Sequence, residues 1–579
     1  MSPDLPPVDP SVTAALVAAL SPRLRTRLDA GVAKLADRPV VRDGDVVRIG
    51  VDDSTDVELH VPGGTVTDAD AIRCGCLLAP GCVHRAAAAS AAPVAEPSAA
   101  AGPEKADEPA TAGAAAPEPP GAVDTERATP EQCAAARALH TAAAAVLEAG
   151  TDGSGAVLQA ELLRAAHTAR LAGLPRAAAT AVSVVTALRR ARSADPAYRL
   201  ADHVCALRDA LSAAHRLPHA RGPELTGLRG TARQPYQPDG SLRLYGLFTE
   251  PVLTATGHAG AVTWTADAEG RMYQVPDVAP GGAGRAVGAA DRTVRVGDTA
   301  LTHRQLSRAG LAVSGATVSP TGRLGAGAGV RAVRASGAGW RADPLERLWA
   351  VPAAEQVAGA LDGGHGLLFL DVTLVGTVRE ASGDCLLADC GGVFLRLAAA
   401  HDHPALPHRD NLRLLAAARG SRLRIVARLD PAPHPRALLL ATEHPTLPGT
   451  RVDLGLDRLQ HADLPAVPAS PAPPAAVPAP DEAPVHLLRR RVRQAASGGR
   501  LLLSFPGDTD ADVRRLGRHG LATAGDLLRE LHAAAAERSR DVFGRLLPAD
   551  PDRFARAWLA AARYTDAVDR ALCAAAWGS

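Results

Sequence analysis

The sequence predicts a multidomain α+β protein, on three observations. At 579 residues the chain exceeds what one hydrophobic core can organise, so it divides into several domains. Two Pro- and Ala-rich stretches, residues 91–128 and 451–484, are nearly free of large apolar side chains in their central parts and read as linkers. Between and around them the apolar pattern switches between steps of three and four and strict alternation, marking helical and β-rich segments in turn. The domain order is a small ββα module with an N-terminal helix at 1–90, a helical bundle at 129–220, β-rich domains at 221–352 and 353–450, and a helical segment at 485–579.

The most specific signal lies in the first module. Cys74, Cys76, Cys82 and His84 place three thiols and an imidazole within eleven residues, although the whole chain holds only 8 Cys. Three Cys and one His complete a tetrahedral ligand set for Zn²⁺ with no open position, as structural sites do. Pro80-Gly81 supplies the turn that folds the second ligand pair onto the first. Two short β-like runs, Val46–Val51 and Val57–Val61, precede the ligands, and Arg85–Ala89 opens a helix after them. His60 lies on the second run and reads as an ordinary strand histidine, since four ligands are already present.

The C-x-C, five-residue spacer, C-x-H spacing resembles the SWIM-type zinc finger at every ligand position, over about residues 40–90. The resemblance implies a binding module that contacts protein or DNA, with an ATPase machine as one candidate protein partner. Charge favours protein. Residues 1–85 carry nine Lys and Arg against twelve Asp and Glu, whereas nucleic-acid affinity rests largely on neutralising phosphates with basic side chains.

Before the finger, Ser11–Leu20 reads as a helix capped by Ser11, continuing toward Leu24 and Leu28 and packing on the module. In the bundle, Leu139, Leu147, Leu162, Leu163, Val185 and Leu188 keep a helical period, with breaks at 150–155 and at Gly173-Leu174-Pro175. No repeat period stands out. Cys133 and Cys205 read as small apolar side chains on helices.

Leu242–Phe248, Ala261–Thr265 and Arg271–Val275 alternate as strands, the last two joined by an Asp267–Gly270 turn. Trp264, Trp340 and Trp349 concentrate here in a chain of 3% aromatic residues, and read as core rather than as a stacking face. Gly325–Gly329 lacks nucleotide-loop spacing, and His303 near Ser307 lacks a nucleophile motif and reads as part of a short helix. Residues 364–447 alternate in runs that suit a small barrel, OB-like in pattern. Cys385 and Cys390 with His401, His403 and His408 make a weak second metal candidate, because a five-residue offset points the two thiols to opposite faces of a strand.

The last segment holds sixteen Arg against eleven Asp and Glu, including Arg489-Arg490-Arg491-Val492-Arg493, and is the natural face for nucleic acid if any is bound. Lysine occurs only at Lys34 and Lys105, neither in a Walker motif, and no catalytic constellation is evident, so the expectation is a non-enzymatic protein. No long apolar run and no basic leader precede the first domain, which points to the cytoplasm and away from a membrane. The functional expectation is a zinc-binding interaction protein; nucleic-acid binding through the finger and the Arg-rich segment is the alternative.

Overall fold

In a computed structural model the chain is mixed α and β, with three sheets among the described residues. Those residues are 5–36, 38–52, 55–95, 126–196, 198–231, 236–254, 258–297, 299–325, 327, 329–380, 383–465, 483–504, 507–537, 541–545, 547 and 550–578. The central parts of both expected linkers lie outside them. The chain forms two compact units, the first from 1–233 and 483–565, the second from 234–482 and 566–579.

The first unit opens with the helix Pro10–Ala18, capped by Asp9, which accepts from Ser11 N at 2.8 Å. The cap is therefore Asp9 rather than Ser11, and Pro10 fits the first helical position because it has no N–H to leave unpaired. This helix ends at Ala18, and Leu28 begins a separate helix, Leu28–Ala36. An antiparallel meander follows: β1 (Val40–Asp43), β2 (Val46–Asp52), β3 (Thr55–His60) and β4 (Ile72–Cys74). The helix Val83–Ala91 completes the module. Beneath the sheet Val12, Leu16, Val47, Ile49, Val57, Leu59 and Ile72 share one core with Ala86–Ala89.

The chain beyond Ala91 also belongs to this module, since Val94 bridges Val8 and Ala95 is buried; the linker starts later than composition suggests. Nor is the module merely tethered. Ala156 and Ala160, from the helix Ala156–Leu171, enter its core, and Asp29 accepts from Ala156 N at 2.9 Å.

The bundle and the C-terminal segment likewise share a single core, contrary to the expectation of separate modules. Leu139, Leu147, Leu162 and Val185 pack with Leu488, Val492, Leu528 and Trp558, and Trp558 Nε1 donates to Val492 O at 2.9 Å. The two halves are built alike. The helix Pro130–Gly153 kinks at Gly150 (φ 70°, ψ −177°) and His486–Leu503 kinks at Gly499 (φ 70°, ψ −175°). Each leads to a second helix, Ala156–Leu171 or Thr509–Arg518, that ends at a left-handed Gly173 or Gly520 followed by leucine. Leu174 N then donates to Ala169 O and Leu521 N to Leu516 O, the same C-cap in both places. Two further helices complete each half: Pro175–Arg192 and Leu200–Arg216, and Ala522–Ala536 and the part of Pro551–Ala576 up to residue 565. A repeat that periodicity did not reveal is thus present as structure. Gly222–Arg229, assigned from sequence to the first β-rich domain, is a helix of this unit.

The second unit holds two five-strand barrels of one design. The first comprises β5 (Gln237–Leu253), β6 (His258–Ala266), β7 (Met272–Pro280), β8 (Gly310–Val318) and β9 (Arg331–Ala335), ordered β7-β6-β5-β8-β9. Residues 322–324 run alongside β7, with Gln274 N donating to Gly322 O and Leu324 N to Gln274 O. The second comprises β10 (Leu367–Glu380), β11 (Gly383–Cys390), β12 (Val393–Ala399), β13 (Arg422–Leu429) and β14 (Arg436–Glu443). Here β12 pairs with β14 in parallel, closing the ring β10-β11-β12-β14-β13. A short β15 (Arg451–Asp453) pairs antiparallel with the end of β14, so the start of the second expected linker is sheet.

In each barrel a long first strand is bulged at a glycine, Gly246 or Gly376, and serves both the second and the fourth strand. Helix fills the connection from third to fourth: His303–Leu306 among others in the first, His408–Ala417 in the second. The tryptophans explain the local aromatic richness. Trp264, Trp340 and Trp349 join Phe248, Leu367, Phe369 and Leu440 in an apolar cluster between the barrels, and Trp340 and Trp349 lie 4.9 Å apart. Among the described residues no helix is long and apolar enough to cross a membrane.

Candidate metal centre

Three elements bring the four predicted ligands together. β4 ends on Cys74, which pairs with Val57 across the sheet and is thereby fixed at the sheet's edge. The chain then turns, with Ala79 N donating to Cys76 O at 3.0 Å. Cys82 is the N-cap residue of the helix Val83–Ala91, and His84 lies in its first turn. Cys74, Cys76, Cys82 and His84 each offer one ligand atom, all within 4.8 Å of one another, and Cys74 Sγ lies 3.7 Å from His84 Nδ1. A tetrahedral zinc with bonds of about 2.3 Å to sulfur and 2.0 Å to nitrogen sets such atoms roughly 3.5–3.8 Å apart, so small adjustments close the set.

Burial and the thiols themselves set the electrostatics of the cluster. Burial pushes the Cys74 thiol up to about 12, and the neighbouring thiols Cys76 and Cys82 reinforce that rise against the Cys76 backbone. At Cys76 burial also raises the pKa, but the backbone N–H groups of Leu78 and Ala79 and the flanking thiols outweigh it and the net shift is downward. Three thiolates this close repel one another unless a metal neutralises them, as metal binding coupled to proton release does.

Sequence reading overlooked two features. Arg85, directly after the last ligand, is only 5% exposed, and its guanidinium donates to Ile72 O, to Pro80 O at 2.7 Å and to Ala69 O. It thus ties β4, the ligand turn and the 3₁₀ turn at 69–71 into one body; its position after a ligand histidine was the available signal. The second feature is the turn itself, where Leu77 is 103% exposed and Leu78 62%. Two leucines held outward on a ligand turn contribute nothing to this core.

His60 stays outside the cluster, on β3, with Nε2 3.5 Å from Glu58. Among the described residues no second group of three or more metal-ligating side chains forms, so Cys385, Cys390, His401, His403 and His408 are not brought together as a site. Cys385 is buried beside Arg436, while the His401 and His408 rings lie 5.4 Å apart, tilted by 47°. His303 sits buried on its short helix, with Nδ1 2.7 Å from Thr263 Oγ1. No family model, no curated protein and no solved structure matches this chain at significance.

Proposed function

We propose that the chain is a non-enzymatic interaction protein of the cytoplasm, in which a SWIM-type finger, closed by one structural Zn²⁺ on Cys74, Cys76, Cys82 and His84, docks a protein partner. The observation that carries this reading is the pairing of a closed four-ligand cluster with the exposed Leu77 and Leu78 on its turn. A saturated Cys₃His set leaves no position for substrate, so the metal's role is to hold shape. The shape it holds presents an apolar tip, and the acidic Asp68 and Asp70 lie nearby in sequence on the same module. The matching surface is an apolar pocket with a basic rim, on a protein such as an ATPase machine.

Affinity capture with Leu77→Ser/Leu78→Ser beside wild type tests the reading. The double variant should keep its zinc and its melting temperature while losing one identified partner. Retention of every partner by that variant would contradict it. Nucleic-acid binding through the finger and the Arg-rich C-terminal segment is a second reading, favoured by the sixteen Arg after Pro484. Its signature is salt-sensitive DNA binding lost in Cys82→Ser.

A further inference from the structure

One groove of the second unit carries more positive charge than its packing uses. In the first barrel, the helix His303–Leu306 with the turn after it and the end of β9 flank a groove of about 570 Å³, lined by Arg304 and Arg308 from the first segment and by Arg334, Ser336 and Gly337 from the second. The start of β8 holds the two segments together, Gly310 pairing with Ala335 and Leu311 with Arg334. Their approach is close enough to require glycine, since a Cβ on Gly337 would come to under 3.0 Å from Arg308 O.

Part of that charge has a structural use. Asp457, just beyond β15, takes Arg304 on one carboxylate oxygen and, on the other, Arg308 Nη2 at 2.9 Å and the Asp453 N–H at 3.0 Å. This carboxylate is fully engaged and sets the two guanidiniums side by side. Four donors beyond it have no such explanation. Arg334 is exposed and pairs with no carboxylate among the described residues. The N–H groups of Ser336 and Gly337 donate to no backbone oxygen among the described residues. Arg243, whose Nη2 donates to Ser336 O at 2.6 Å, keeps its Nη1 closed off from solvent with no partner. A buried donor left unsatisfied costs free energy, and an anion seated beside it supplies acceptors.

We propose that this groove takes the phosphate of a phosphorylated serine or threonine in a partner protein, held by the guanidiniums of Arg308 and Arg334 and the N–H groups of Ser336 and Gly337. A phosphate monoester carries about −1.5 to −2 charge and three strong acceptor oxygens, which matches several donors better than a singly charged carboxylate or phosphodiester does. Arginine clusters are a recurring means of reading phosphorylated segments. Arg334, Ser336 and Gly337 are all exposed, so a side chain on an extended segment reaches the groove, whereas a small ligand would leave much of its surface in water. The site belongs to the second unit and goes beyond the finger reading, on which it does not depend.

Fluorescence anisotropy of the full chain with labelled peptide libraries, randomised around a central phosphoserine, serine or glutamate, tests the assignment. Wild type should bind the phosphoserine library in preference to the other two. Arg334→Ala should weaken that binding roughly 10- to 150-fold, the range for one hydrogen bond to a charged group. Arg334→Lys should recover only part of the loss, since lysine keeps the charge but not the planar fork. Thermal unfolding should be unchanged in both variants, because Arg334 is exposed and unpaired among the described residues, and binding should persist in Cys82→Ser. Five results would overturn the proposal: no binding of the phosphoserine library, equal binding of the serine library, equal binding by wild type and Arg334→Ala, a glutamate library bound as tightly, which would give the groove to acidic segments, or competition by free O-phosphoserine at the affinity of the library itself, which would give it to a small phosphorylated ligand.

Discussion

Gly150 and Gly499 lie backbone to backbone at the centre of the first unit. A Cβ on Gly150 would approach Gly498 and Gly499 backbone atoms to under 3.0 Å, and one on Gly499 would sit 2.5 Å from Glu148 O. Thr151 Oγ1 donates to Ser497 O at 2.9 Å, and Arg500 pairs with Glu148 at 3.3 Å, so the two kinked helices hold each other at this crossing.

Gly150→Ala therefore combines a left-handed φ with a backbone collision and should lower the unfolding free energy by roughly 2–5 kcal/mol. Gly517→Ala, in a helix with nothing within 4 Å of its Cβ position, should be neutral or stabilising by up to about 1 kcal/mol. Urea unfolding of both variants checks the contrast; equal effects would mean that the crossing does not organise the core.

Loss of the metal should spread in a defined direction. Because Ala156 and Ala160 belong to the finger's core, His84→Ala should raise amide exchange in residues 40–95 and in the helix Ala156–Leu171. Exchange in β10–β14 should stay as in wild type. Effects confined to residues 40–95 would restore the picture of a tethered module.

How far the sequence foretold these features depends on the distance over which each is encoded. The ligand set was legible because all four residues and their turn lie within eleven positions, and β2, β3, β6 and β7 followed from local alternation. The union of 130–216 with 486–565 was not, since Thr151 and Ser497 are 346 residues apart and alanine-rich helices advertise no partner. The helical repeat rests on Gly150, Gly173, Gly499 and Gly520, whose backbone role is invisible to an apolar-periodicity reading. Composition also stretched the first linker, because Ala92 and Ala95 are too small to register as core although both are buried.

Acid should destabilise the second unit through His408. Burial, with His401 beside it, depresses its pKa to about 3 although Asp402 and the Leu439 backbone pull the other way. A histidine depressed in the folded state leaves the unfolded chain binding more protons below about pH 6.5, so stability falls as pH drops through that value. The expected loss is up to about 1.4 kcal/mol per pH unit from this group, and His408→Gln should flatten the pH dependence between 4 and 6.5. An unchanged profile in the variant would contradict this assignment.

The two barrels should share their stability through Trp349, which packs at a tilt against Trp340 and meets Phe369 edge-on at 5.1 Å while donating to Ile425 O at 3.2 Å. Trp349→Ala should cost about 3–5 kcal/mol and raise amide exchange in β5 and β6 as well as in β10 and β13. A cost under about 1 kcal/mol would show that the cluster is not a common core.

The most direct measurement is zinc per chain on protein purified under reducing conditions, wild type beside Cys82→Ser. One zinc in wild type and close to none in the variant is the expected result. No zinc in wild type, or the same content in both, would contradict a metal centre at Cys74, Cys76, Cys82 and His84.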